Sequence, residues 1–280
     1  GPYKSIQIGK PGTGGSDQSS ADITVDKLSA SGDIALYGGT ITLKGGATTS
    51  ETSGNGLLVK ATTDIITSSG TSAARTPMSV TGTNSTAPVT IWANSDASGG
   101  GSINIGDYTD VLTQGAPIYI GGSTAASDTT PTGPAVGSTA TYCSGVVLGA
   151  SNVATDSVKV QSLGGNIAIR AKSTYNAAGC TGLKTWSGLT VNSGTGTIVI
   201  EGTGSSSTGS NNAHGMELNW VGGYLTKITS AATSGTAISI TGTASGTSTN
   251  ARGVVTWSGS GSTAHQTQIT ATGGGDISIV

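Results

Sequence analysis

The chain has 280 residues, 47 of them Gly and none Phe, with 9% charged residues and a formal net charge of −2. An ordinary globular domain is about a quarter charged, so the bulk here is Gly, Ser, Thr, Ala and Asn. No basic stripe exists to neutralise phosphates, which excludes nucleic acid as an expected partner, and no apolar run is long enough to insert this segment in a membrane.

Gly1-Pro2 reads as a scar of tag removal, so residues 3–280 are expected to be a single repeat-built segment of a larger protein. In chain order, GDIALYG around Ile34 is followed by GGSINIG around Ile103, and their separation of 69 residues reads as about two repeats. The stretch from Gly121 to Tyr142 carries no apolar dyad and holds Pro131 and Pro134. It is expected to be a long surface loop, where binding residues commonly sit.

Beyond it the pattern sharpens into three parts. The first is I-x-I opened by Gly-rich residues: Ile103/Ile105, Ile167/Ile169, Ile198/Ile200 and Ile238/Ile240. The second follows a Gly: Val146/Leu148, Leu183, Met216/Leu218 and Val254. The third is a short dyad or single residue: Val158/Val160, Leu189/Val191, Ile228 and Ile269. Ile167, Ile198, Ile238 and Ile277 are spaced by 31, 40 and 39 residues.

Period-two spacing puts both members of a dyad on one face of a strand, and the Gly, Ser, Asn and Thr between dyads turn the chain. Three such strands per repeat describe one coil of an all-β solenoid. A coil buries its apolar stripe only against its neighbour, and about seven or eight coils with Gly/Ser/Thr-rich loops are expected. A β-sandwich would need hairpin turns and shows no such period.

Cys143 stands two residues before Gly145 and Cys180 two before Gly182, so the cysteines lie 37 residues apart at one position of successive coils. Stacked strands are about 4.7–4.9 Å apart, within the Cα separation a disulfide accepts, and a Cys143–Cys180 bridge is predicted. Such a bridge points to an oxidising compartment. Trp186, Trp220 and Trp257 follow at spacings of 34 and 37 residues. Aligned, they would form an aromatic ladder, serving either as a platform for sugar rings or as a structural stack over a corner of the core.

His214 and His265 have no ligand-spaced partners and are expected at the surface, with no metal and no cofactor. The acidic residues are scattered, whereas a glycoside-cleaving groove needs convergent carboxylates. No catalytic residue is assigned and no enzyme is expected.

The strings GGNIAIRA, GTIVIEGTG, TAISITGTASG and GGGDISIV, alternating with NAHGMELNW and NARGVVTW, resemble large bacterial exoproteins of the filamentous-haemagglutinin-like and autotransporter-passenger type. The resemblance covers essentially the whole chain and is one of composition and period. It implies a right-handed parallel β-helix, secreted or held at the bacterial cell surface. The implied role is adhesion, cell–cell contact or matrix formation, through a host or cell-surface glycan or protein, or through self-association. The paired cysteines depart from that pattern. A carbohydrate-binding β-helix module is the alternative reading, and a polysaccharide-cleaving enzyme a third.

Overall fold

A computed structural model describes residues 3–12, 18–150, 157–177, 179–206, 213–218, 225–245, 250–256 and 267–280. Among these residues it contains strands and no helix, arranged in three sheets whose paired strands all run parallel. The chain visits the sheets in fixed order. In one coil, Ile167–Ser173 lies in the first sheet, Leu183–Thr185 in the second and Leu189–Asn192 in the third. Ile198–Thr203 then returns to the first sheet, paired residue for residue with Ile167–Lys172. Parallel neighbours need a crossover connection; here the other two sides of each coil supply it. Eight such coils are followed by a last first-sheet strand, Asp276–Ile279. The expected β-solenoid, a parallel β-helix, is the observed fold.

The register explains the core. Ile167, Ile198, Ile238 and Ile277 form one column, as their spacing suggested. The same column continues back through Ile118, Val89, Leu57 and Ile34 to Ile6. Ile34, Leu57, Val89, Ile118 and Ile198 are fully inaccessible to solvent, and one continuous apolar cluster runs from Val25 to Ile240.

Two expectations are corrected. Ile103/Ile105 belongs to the second sheet, stacked between Ile65 and Val146, rather than with Ile167 in the first. An I-x-I string after Gly fits either sheet, and only the next strand, Thr109–Leu112 in the third sheet, tells them apart. Ile34 and Ile103 therefore do not share a column, and their separation is no whole number of coils. Residues 121–142 are also more than a loop. Ala135–Gly137 forms an extra first-sheet strand on Ala171–Ser173, and Ala135 is fully buried. Ala and Gly carry too little side chain to show as a dyad in sequence.

The corners differ in length. The third-to-first corner never exceeds eight residues, and spans five at 113–117, 162–166 and 193–197. Buried hydroxyls close it: Thr113 Oγ1 donates to Ala116 O (2.5 Å), Ser162 Oγ to Gly165 O (2.5 Å) and Ser193 Oγ to Gly196 O (2.6 Å). Longer contacts from Thr113 to Ser162 O and from Ser162 to Ser193 O tie successive coils. Longer connections fall at the two corners flanking the second sheet, such as 93–102, and 122–145 with its extra strand, on one side and 68–75 on the other.

Glycine before the second-sheet strands that begin at Val146, Leu183, Met216 and Val254 has a packing cause. A Cβ at Gly182 would collide with the backbone of Thr203 and Gly215, and one at Gly215 with that of Thr243 and Gly253. The corner lies flush on the neighbouring coil.

Candidate functional site

Outward positions of the second sheet form a column that changes character along the rod. It runs Thr24, Thr42, Ile66, Asn104, Val147, Lys184, Glu217, Val255. Outward residues on the third sheet are mostly polar, as in Thr48, Ser79, Gln161, Asn192 and Thr229, with one half-buried apolar residue, Leu112, between Ser79 and Gln161. The second-sheet column instead presents half-buried Ile66 and Val147, and further on Lys184 and Glu217 are buried despite pointing outward.

A cavity of about 370 Å³ lies over this column. Ile66, Asn104, Val147 and Lys184 form its floor, with Tyr142 and Cys143 on one wall and Trp186 on the other. The predicted disulfide builds the first wall. Cys143 and Cys180 are bridged with their Cα atoms 5.2 Å apart across 37 residues. Beside it, Ser173 Oγ donates to Cys143 O (2.6 Å) and the Thr181 amide to Ser144 Oγ (3.3 Å).

Lys184 lies between an aromatic face and a carboxylate. Its Nζ is 4.3 Å from the Trp186 ring centroid and 3.6 Å from Glu217 Oε2. Burial pushes the Lys184 ammonium below the usual lysine range, and Glu217 works against that shift. His214 is buried rather than at the surface, 2% exposed. Its Nδ1 accepts the Arg252 amide (3.2 Å), and Nε2 has no partner among the described residues. Burial, then Arg252 and Lys184, hold its pKa below the ordinary histidine value. The expectation of exposure failed because Gly215 lays this corner flat against the next coil.

Of the three tryptophans expected to stack, Trp186 is half-buried and lines the cavity. Trp220 and Trp257 lie outside the described residues, as does His265. Counted from the paired strands, Trp257 follows Thr256 directly, as Trp186 follows Thr185, whereas Trp220 stands two residues past Leu218.

Trp92 has a different role. It pairs in register with Lys60, whose Nζ is 4.1 Å from its ring centroid. Its Nε1–H donates to Ser123 Oγ (2.8 Å), and Ser123 Oγ in turn to Ser95 O (3.0 Å). At 2% exposure it is a structural residue.

The carboxylates are committed to structural partners. Asp107 Oδ1 accepts from Ser157 Oγ (2.9 Å), Ser187 Oγ (2.8 Å) and the Ala150 amide (3.1 Å). The Asp107 amide donates to Ser69 Oγ (3.1 Å), so one residue joins four successive coils. V-x-[ST] or I-x-[ST] precedes the third-to-first corner at Thr113, Ser162, Ser193 and Ser230, and is the sequence signal for these buried hydroxyls. Asp128 Oδ2 accepts from the Thr124 and Ala125 amides, which hold its carboxyl below the usual carboxylate range. Asp110 pairs with Arg75 at 2.6 Å and Glu201 with Arg170 at 2.8 Å. Among the described residues no group of three or more His, Cys, Asp or Glu could hold a metal, and no helix is long and apolar enough to cross a membrane.

Fold and site define a three-sided parallel β-helix with an internal disulfide and a cavity on one outer face. No family model, curated protein or solved structure matches the chain.

Proposed function

We propose that this chain is a rigid segment of a secreted or cell-surface bacterial exoprotein, acting by contact in adhesion, cell–cell association or matrix. The continuous stacking of first-sheet strands from Ile6 to Ile277 carries the reading. It gives a rod of roughly 38 Å, eight steps of strand spacing, with long segments displayed at two corners. The Cys143–Cys180 bridge suits an oxidising, extracellular setting. The resemblance of its repeats to filamentous-haemagglutinin-like and autotransporter-passenger proteins agrees with that setting. Repeated weak contacts along such rods sum by multivalency.

A non-catalytic role is supported by Asp107, Asp110, Asp128 and Glu201, whose oxygens are taken up by backbone amides, hydroxyls and ion pairs. The test immobilises the chain on beads and measures retention of cells and polysaccharide matrices under flow. Retention above an inert protein coat is expected. Equal retention, or depolymerisation of a polysaccharide panel by the chain, would remove the reading.

A further inference from the structure

We infer that the outer face of the second sheet, from the third coil to the sixth, is a binding trough for a short neutral oligosaccharide stacked against Trp186. The floor crosses four coils at Ile66, Asn104, Val147 and Lys184. Three strand steps make it roughly 14 Å long, the span of a few linked sugar rings. The cavity, at about 370 Å³, falls in the range of ligand pockets, which combine an apolar lining with a few placed polar groups.

Three features select the ligand class. Ile66, Val147 and the rings of Trp186 and Tyr142 offer apolar surface suited to the C–H faces of pyranose rings. Asn104 Nδ2 donates to Ser102 Oγ (2.8 Å), and its Oδ1 accepts no hydrogen bond from a described residue, so it can receive a sugar hydroxyl. Lys184 is the ionisable group on the floor, and its charge is matched by Glu217 at 3.6 Å. An anionic ligand would have to compete with that carboxylate, whereas a neutral ligand leaves the pair intact.

The disulfide fixes the wall that carries Tyr142, so that side of the trough is held open in advance. Preorganisation of this kind lowers the cost of binding. The inference gives the contact reading a ligand class and a place, and rests on that reading only for where the sugar is encountered.

The test titrates the full chain by calorimetry with neutral gluco-, manno- and galacto-oligosaccharides. Sulfated and uronic-acid oligosaccharides and free indole serve as rivals. Saturable binding of a neutral member is expected, insensitive to salt. It should weaken at least about tenfold in Trp186→Ala, as for other central aromatic anchors, and also in Asn104→Ala. Arg170→Ala, on the first sheet, should bind as the parent does. Each variant is checked for the intact bridge and a parent-like melt, and Tyr142→Ala replaces any that fails.

Binding of no neutral member, preference for an anionic one, binding of indole alone, or unaltered affinity in the folded trough variants would overturn the inference. If beads carrying Trp186→Ala still hold cells as the parent does while sugar binding is absent throughout, the trough fails and the adhesive rod stands. Sugar binding by a chain that retains no cells would leave the trough and remove the adhesive role.

Discussion

Single side chains fasten the coils together, and their effects are separable. Asp107 takes up hydroxyls and an amide from later coils while its own amide reaches back to Ser69. Asp107→Ala would remove the carboxylate acceptor of Ser157 and Ser187, both fully buried, and leave them only their 2.9 Å bond to each other, so that one hydroxyl proton loses its acceptor. Unsatisfied buried groups cost about 1–3 kcal/mol, and a lowered denaturation midpoint of that size is the expected measurement. Cys143→Ser with Cys180→Ser should cost about 2–4 kcal/mol, from the freedom returned to the unfolded chain. The position of this bridge was legible in sequence because both cysteines precede the same glycine. His214 was not, since burial at that corner comes from the neighbouring coil. With its folded pKa depressed, the unfolded chain takes up its proton first. Stability is therefore expected to fall as pH drops below about 6.5 and to level off below the folded-state value. His214→Gln should remove that component from thermal melts recorded between neutral and mildly acidic pH.

At the scale of elements, the corners divide the labour. The third-to-first corner is short because a buried hydroxyl bonds a carbonyl three residues on, in Thr113, Ser162 and Ser193 alike. Ser162→Ala should cost about 1 kcal/mol through that bond, and any inserted residue there would break the closure. An insertion of a short polar tag after Ala97, at the first-to-second corner, should be nearly neutral, because lengthening a surface loop costs little closure entropy. Comparing the two insertions by thermal melt checks the distinction. The three-strand coil was readable from dyads in residues 145–280, where copies repeat whole. Nearer the N-terminus the corners shrink, so Ile34 and Leu57 follow at 23 residues, and a fixed period could not be found.

Across the whole molecule, the stacked columns make the core one-dimensional. Ile198 packs between Ile167 and Ile238. Ile198→Ala is expected to cost about 2–5 kcal/mol and to weaken the two adjoining coils before distant ones, which hydrogen exchange resolved along the chain would reveal. By itself the sequence determined the class of fold, because an apolar residue every second position between turn residues can be buried in one way when the pattern repeats. It also determined the disulfide, since equivalent repeat positions become neighbours at strand spacing. Only the tertiary structure decided which sheet each dyad enters, that Ala135–Gly137 is a strand, and that Trp186, Asn104 and Tyr142 meet around one cavity. Those facts depend on how many residues each corner consumes, and corner length leaves no periodic mark in the chain.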